Sequence, residues 1–149
     1  MIELNENHRR SISITLQQVD KTLCEWSDWA EGRVRRGVMY VERDTLSAGQ
    51  KEKLKFRIAK VRQLMCHLRD DLRLQAATVD TSQALAGPAS ILWEMLAELN
   101  SRSLRAYGNV PDELASYLDG RGVQLAESMN DIARLFSRPV VDQPYFRAK

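Results

Sequence analysis

Two residues in the stretch RQLMCH, Arg62 and His67, are of types that together handle phosphoesters. A histidine exchanges a proton near neutral pH, and an arginine stabilises the charge that gathers on a phosphorane. His67 is one of only two histidines, the other being His8. A serine, cysteine or aspartate triad would need one of the two as its base. The phosphate-binding glycine loop, the dinucleotide glycine fingerprint and the Glu-x-x-His pairs of di-iron bundles are all missing from the sequence. The residue inventory therefore argues against an ordinary enzyme, with Arg62 and His67 the one pair that could act catalytically.

Soft metal ligands are as sparse. Cys24, Cys66, His8 and His67 would all have to converge to close a four-ligand site, and neither cysteine has the spacing of a zinc site or a redox pair. The sequence reading is two reduced thiols, no metal and no cofactor.

Binding chemistry is better represented. Over residues 33–62 there are ten basic residues (Arg33, Arg35, Arg36, Arg43, Lys51, Lys53, Lys55, Arg57, Lys60 and Arg62) against three acidic ones, a net +7. The remaining 12 basic and 17 acidic residues give −5, so a chain with a formal charge of only +2 is strongly polarised. Arg33, Arg35, Arg36, Lys51, Lys53, Lys55 and Arg57 make a candidate anion-binding or nucleic-acid-binding pole, with Phe56 available to stack or pack. The alternative is a solvated helix face whose lysines keep the protein in solution.

The spacing Arg62-x4-His67 resembles the arginine-to-histidine motif of HEPN-type helical ribonucleases. That resemblance covers six residues, and Gln63 stands where that family usually has another polar residue. It implies a small helical bundle in which Arg62 and His67 line a dimer cleft and act on RNA. The competing account is an exposed His67 beside Asp70 and Asp71.

The elements that must carry these residues follow from apolar periodicity. Ile12, Leu16, Val19, Leu23, Trp26 and Ala30 recur alternately four and three apart, a heptad seam. A second seam runs Leu54, Ile58, Val61, Met65, Leu68, Leu72, and a third runs Leu85, Ala89, Leu92, Leu96, Leu99, Ser103. The fourth passes Leu114, Leu118, Leu125, Ile132 and Leu135, interrupted by Arg121 and Ser128. Nothing alternates with period two, so the chain reads as all-α, an up-down-up-down antiparallel four-helix bundle forming one domain over 1–149.

The punctuation sets the boundaries. The first helix is expected over 7–36, stopped by Gly37, with Arg33, Arg35 and Arg36 on its last turn where cations suit the dipole. The connector GVMYVERDTLSAG has β character but is too short for a sheet. The second helix is expected from Ser47 to about residue 77. The third starts either at Thr81 with a kink at Pro88 or at Pro88 itself, and ends before Gly108. The fourth begins at Pro111 and is expected to be kinked near Gly120 and Gly122. Residues 137–149, with Pro139 and Pro144, form an extended tail.

Ile14, Phe56 and Ile91 fall outside the seams. Either the protein's own connector and tail cover them, or they form an oligomer interface together with Tyr145 and Phe146 of the tail. No window approaches the ~18 apolar residues of a membrane span, and the start lacks a secretory leader's apolar run, so the chain reads as cytoplasmic. The leading functional expectation is a non-enzymatic protein, a homodimer or a binder of a protein partner, in an adaptor or regulatory role. A nucleic-acid-binding module using residues 33–62 and a HEPN-like ribonuclease using Arg62 and His67 are the alternatives.

Overall fold

The computed structural model describes residues 2–136 and is all-helical there, with no strand beyond one isolated bridge. Tyr145, Phe146 and the rest of the 137–149 tail lie outside the described residues. The chain divides between Ala77 and Thr78 into two compact units.

In the first unit, α1 spans Glu6–Ala30 and α2 spans Ala48–Asp71. Asn5 caps α1, its side chain accepting from the His8 amide at 2.8 Å. The helix ends six residues earlier than its arginines suggest. Gly32, at φ +76°, takes the left-handed conformation that closes a helix; its amide donates to the Trp29 carbonyl and the Arg33 amide to that of Asp28 at 2.9 Å. Arg33, Arg35 and Arg36 are thus not on the last turn of α1, which holds no basic residue, but in the connector.

Ser47 opens α2 with a reciprocal capping box. The Gln50 amide donates to Ser47 Oγ at 3.1 Å, and the Ser47 amide donates to Gln50 Oε1 at 2.9 Å. The far end stops at Asp71 rather than near residue 77 by the same device as α1, with Arg73 in the left-handed position at φ 52°. The Leu74 amide then donates to the Arg69 carbonyl at 2.8 Å. Arg9, from the second turn of α1, places Nη1 3.0 Å from the Leu72 carbonyl and 2.9 Å from that of Arg73. Contacts from Arg9 to Arg73, Asp20 to Arg62 and Glu31 to Lys55 run in opposite senses along the two helices, so α1 and α2 are antiparallel.

Leu23, Ala30, Ile58 and Leu74 are the buried apolar residues of this unit. A buried aliphatic side chain stabilises by about 1.5–3 kcal/mol. With so few, the polar ties at the two ends of the hairpin carry a large share of its order. Between the helices the connector makes a small β-turn: Arg36 bridges Val41, the Gly37 amide donates to the Tyr40 carbonyl, and the Glu42 amide to that of Arg35, each at 3.0 Å. The Tyr40 ring lies over Gly37 so closely that a Cβ there would be 2.6 Å from it.

The second unit pairs α3, Thr81–Ala97, with α5, Asp112–Leu135, through a link holding the one-turn α4, Ser101–Leu104, and a 3-10 turn over Arg105–Tyr107. Asp80 caps α3, accepting from the Ser82 amide at 3.0 Å, so the helix starts at Thr81 and carries Pro88 inside it. The third seam is broken after Ala97. Asn100 becomes the cap of α4, accepting from the Ser103 amide at 2.9 Å, and Gly108 follows the 3-10 turn rather than α3. Among the described residues of this unit the buried ones are small: Ala89, Ser101, Gly122 and Ala126. Gly122 lies against the Leu99 carbonyl oxygen, an approach that excludes any side chain, whereas Gly120 has open space around its Cβ direction. The α-helix is unbroken through both glycines.

Candidate functional site

The loop pole of the α1–α2 hairpin gathers most of the residues picked out by sequence. Trp29 from the end of α1 and Val34, Glu42, Arg43, Asp44, Thr45 and Leu46 from the connector line a groove of ≈ 300 Å³. Trp29 Nε1 donates to the Glu42 carboxylate across it. Lys51 Nζ donates to Asp44 Oδ2 at 2.5 Å. That hydrogen bond, helped by the Leu46 amide and opposed by desolvation, holds the Asp44 carboxyl below the usual aspartate range. Between Gly37 and Tyr40 the turn pushes its apolar tip outward, Val38 at 100% and Met39 at 91% exposure.

The basic residues sort into two sets. Arg33 and Arg35 both reach Asp28, at 3.7 and 3.4 Å. Lys51 is held by Asp44, and Lys55 by Glu52 at 3.3 Å and Glu31 at 3.4 Å. The Lys55 ammonium is accordingly shifted upward, mainly by the Glu52 hydrogen bond against a desolvation cost. Two of these carboxylates, Asp28 in α1 and Glu31 just after its end, lie outside the 33–62 segment, so its +7 is lowered in space by neighbours the segment count leaves out. Arg36, Lys53 and Arg57, with Lys60 beyond them, make no ion pair or side-chain hydrogen bond among the described residues.

This sorting follows helix geometry. At 3.6 residues per turn, Lys51, Lys55 and Arg62 share the side of α2 that meets α1, and Lys53, Arg57 and Lys60 fall on the opposite side. Phe56 and Leu64 lie on that outer side too, 68% and 54% exposed, as does His67. From Lys53 through Arg69 the helix contains no Asp or Glu.

Arg62 faces α1, its Nε 3.9 Å from Asp20 Oδ1 and its Nη2 3.6 Å from Cys24 Sγ. His67 leaves α2 in a direction about 140° away from Arg62, since five residues separate them. The two side chains therefore do not converge on one side of α2. Cys24 and Cys66 are exposed and not joined to each other, and among the described residues no group of three or more His, Cys, Asp or Glu could hold a metal.

Ile14, Phe56 and Ile91 are 55%, 68% and 61% exposed, so no described segment covers them. Sequence reasoning also missed a polar contact in the second unit. The Ser101 amide donates to Asp119 Oδ1 at 2.7 Å and Ser101 Oγ to Oδ2 at 2.9 Å. Those two hydrogen bonds, with the Arg105 charge, hold the Asp119 carboxyl below its usual range against the desolvation that raises it. The available signal was the Asn100-Ser101 pair, a helix-start pattern inside an apparently continuous seam.

No helix among the described residues is long and apolar enough to cross a membrane. Comparison with protein-family models, with curated proteins and with solved structures finds no match to this chain.

Proposed function

We propose that this is a non-enzymatic cytoplasmic protein that works by binding protein surfaces, a second copy of itself included, in an adaptor or regulatory role. The observation that carries this reading is the exposed tip of the connector. Val38 and Met39 stand almost entirely in water at the end of a turn that two backbone hydrogen bonds and the Gly37–Tyr40 contact hold in one shape. Presenting apolar side chains on an ordered turn costs solvation and is what a docking element needs. Ile14 and Ile91 offer further uncovered apolar surface, as do half-exposed seam residues such as Trp26, Leu68, Leu92 and Leu125. The up-down-up-down bundle over a single domain and the bend near Gly120 and Gly122 remain part of the proposal, as does a contribution of Tyr145 and Phe146 to an interface.

The test is sedimentation velocity on the protein and on a variant with Val38→Glu and Met39→Glu. Loss of self-association, or of a captured partner, with circular dichroism unchanged supports the reading. A parent that sediments as a monomer and captures no protein that the variant fails to capture removes it.

A further inference from the structure

Ion pairing divides the cations of α2 by side, and the division leaves one side with a composition that hydrophobic packing does not explain. Lys51, Lys55 and Arg62 are matched with Asp44, Glu31, Glu52 and Asp20. Lys53, Arg57 and Lys60 are matched with nothing among the described residues, and no carboxylate occurs between Lys53 and Arg69 to be their partner. They follow one another at four and three residues, which aligns them along one side of the helix about 6 and 4.5 Å apart on its axis. Phe56 sits between the first two, exposed at 68%, and Leu64 continues the line at 54%. A merely solvated face has no use for an uncovered phenylalanine flanking three unneutralised cations.

We infer that the outer face of α2 is a binding track for a single-stranded polynucleotide, with Lys53, Arg57 and Lys60 on successive phosphates and Phe56 stacking on a base. Charge complementarity selects a polyanion, since the face has three cations and no acid over five turns. The aromatic ring selects a strand with unstacked bases, because every base offers a π-face and sequence-tolerant stacking is how single strands are held. A duplex keeps those faces covered. This site is separate from the connector tip, so the two readings stand or fall independently.

The experiment is fluorescence anisotropy of labelled oligo-U RNA, the same sequence as DNA, and duplex DNA, titrated over a range of salt concentrations. The single strands are expected to bind at low salt with log K falling against log salt at a slope of about −2, as three phosphate contacts give. Replacing Lys53, Arg57 and Lys60 by Gln together should abolish that dependence, and Phe56→Ala should weaken binding by roughly tenfold. Lys51→Gln and Lys55→Gln, which change cations on the opposite side, should weaken it far less. Helicity by circular dichroism checks that every variant folds. Four results overturn the inference: no binding at low salt, equal losses from the two sets of cations, duplex binding that ignores Phe56, or displacement by polyglutamate as readily as by RNA, which would make the face a site for acidic protein.

Discussion

Arg9 Nη1 donates to the main-chain carbonyl of Arg73 at 2.9 Å, and to that of Leu72 at 3.0 Å, across 64 and 63 residues of chain. The last carbonyls of a helix have no intrahelical donor, and a cation there also meets the negative end of the dipole. Arg9 supplies both from the opposite helix. Arg9→Met keeps the aliphatic stem and removes the donors, and should lower stability by about 1–2 kcal/mol in urea unfolding. Arg73 holds a left-handed backbone at a cost, so Arg73→Gly is expected to raise the unfolding free energy by up to about 1 kcal/mol, while Arg73→Val should lower it.

The two glycines of α5 predict changes of opposite sign. Gly120 has nothing within 4 Å of its Cβ direction, so Gly120→Ala gains helix propensity and should stabilise by about 1 kcal/mol. Gly122→Ala drives a methyl into the Leu99 carbonyl, which is backbone and cannot turn aside, and should destabilise by about 1–3 kcal/mol despite the same propensity gain. Thermal unfolding of the pair separates the two; equal shifts would deny the close approach.

Asp119 should govern part of the acid limb of stability. Its carboxyl is depressed in the folded protein, chiefly by the Ser101 amide and hydroxyl. A depressed carboxyl contributes stability above its unfolded value, near pH 4, and that contribution drains away as pH falls through the lower folded value. The Asp119→Asn variant lacks this term, so its stability should fall less steeply than the parent's below about pH 4. Parallel acid limbs for the two proteins would show that the contact has no energetic weight.

Gly32 should be intolerant of a side chain. At φ +76°, with Lys51 Nζ 3.3 Å from where a Cβ would lie, Gly32→Ala is expected to cost about 1 kcal/mol by urea unfolding. Gly49→Ala, inside the first turn of α2 and close only to Ser47 Oγ at 3.9 Å, should instead be neutral or stabilising.

Much of the helical order was legible because it is written locally. Ser47 with Gln50 marks the start of α2, and Pro111 with Asp112 and Glu113 the start of α5. The errors lie where two candidate signals compete or where a distant group decides. Gly37, with three arginines just before it, carries the signals of a helix end, yet the closing hydrogen bonds form five residues earlier, at Gly32. The break after Ala97 interrupts an apolar pattern that runs on without a flaw, and the contact of Ser101 with Asp119 eighteen residues away could not be seen from it. The basic segment was visible as a count. Its division into a paired and an unpaired side was not, because the carboxylates of Asp20, Asp28 and Glu31 come from α1 and the residue that caps its end.

A helix whose residues from Lys53 to Arg69 include no acid has no opposite charge four residues away to steady it, and Lys53, Arg57 and Lys60 repel one another along its surface. Alone, such a segment would be marginal in water. Its order is borrowed from α1, through Ile58, the matched cations and the Arg9 cap. The outer face is therefore a conditional surface, present in register only while the hairpin is closed. By mass action, an anion that settles on it relieves the repulsion and returns the favour, tightening the very hairpin that displays it.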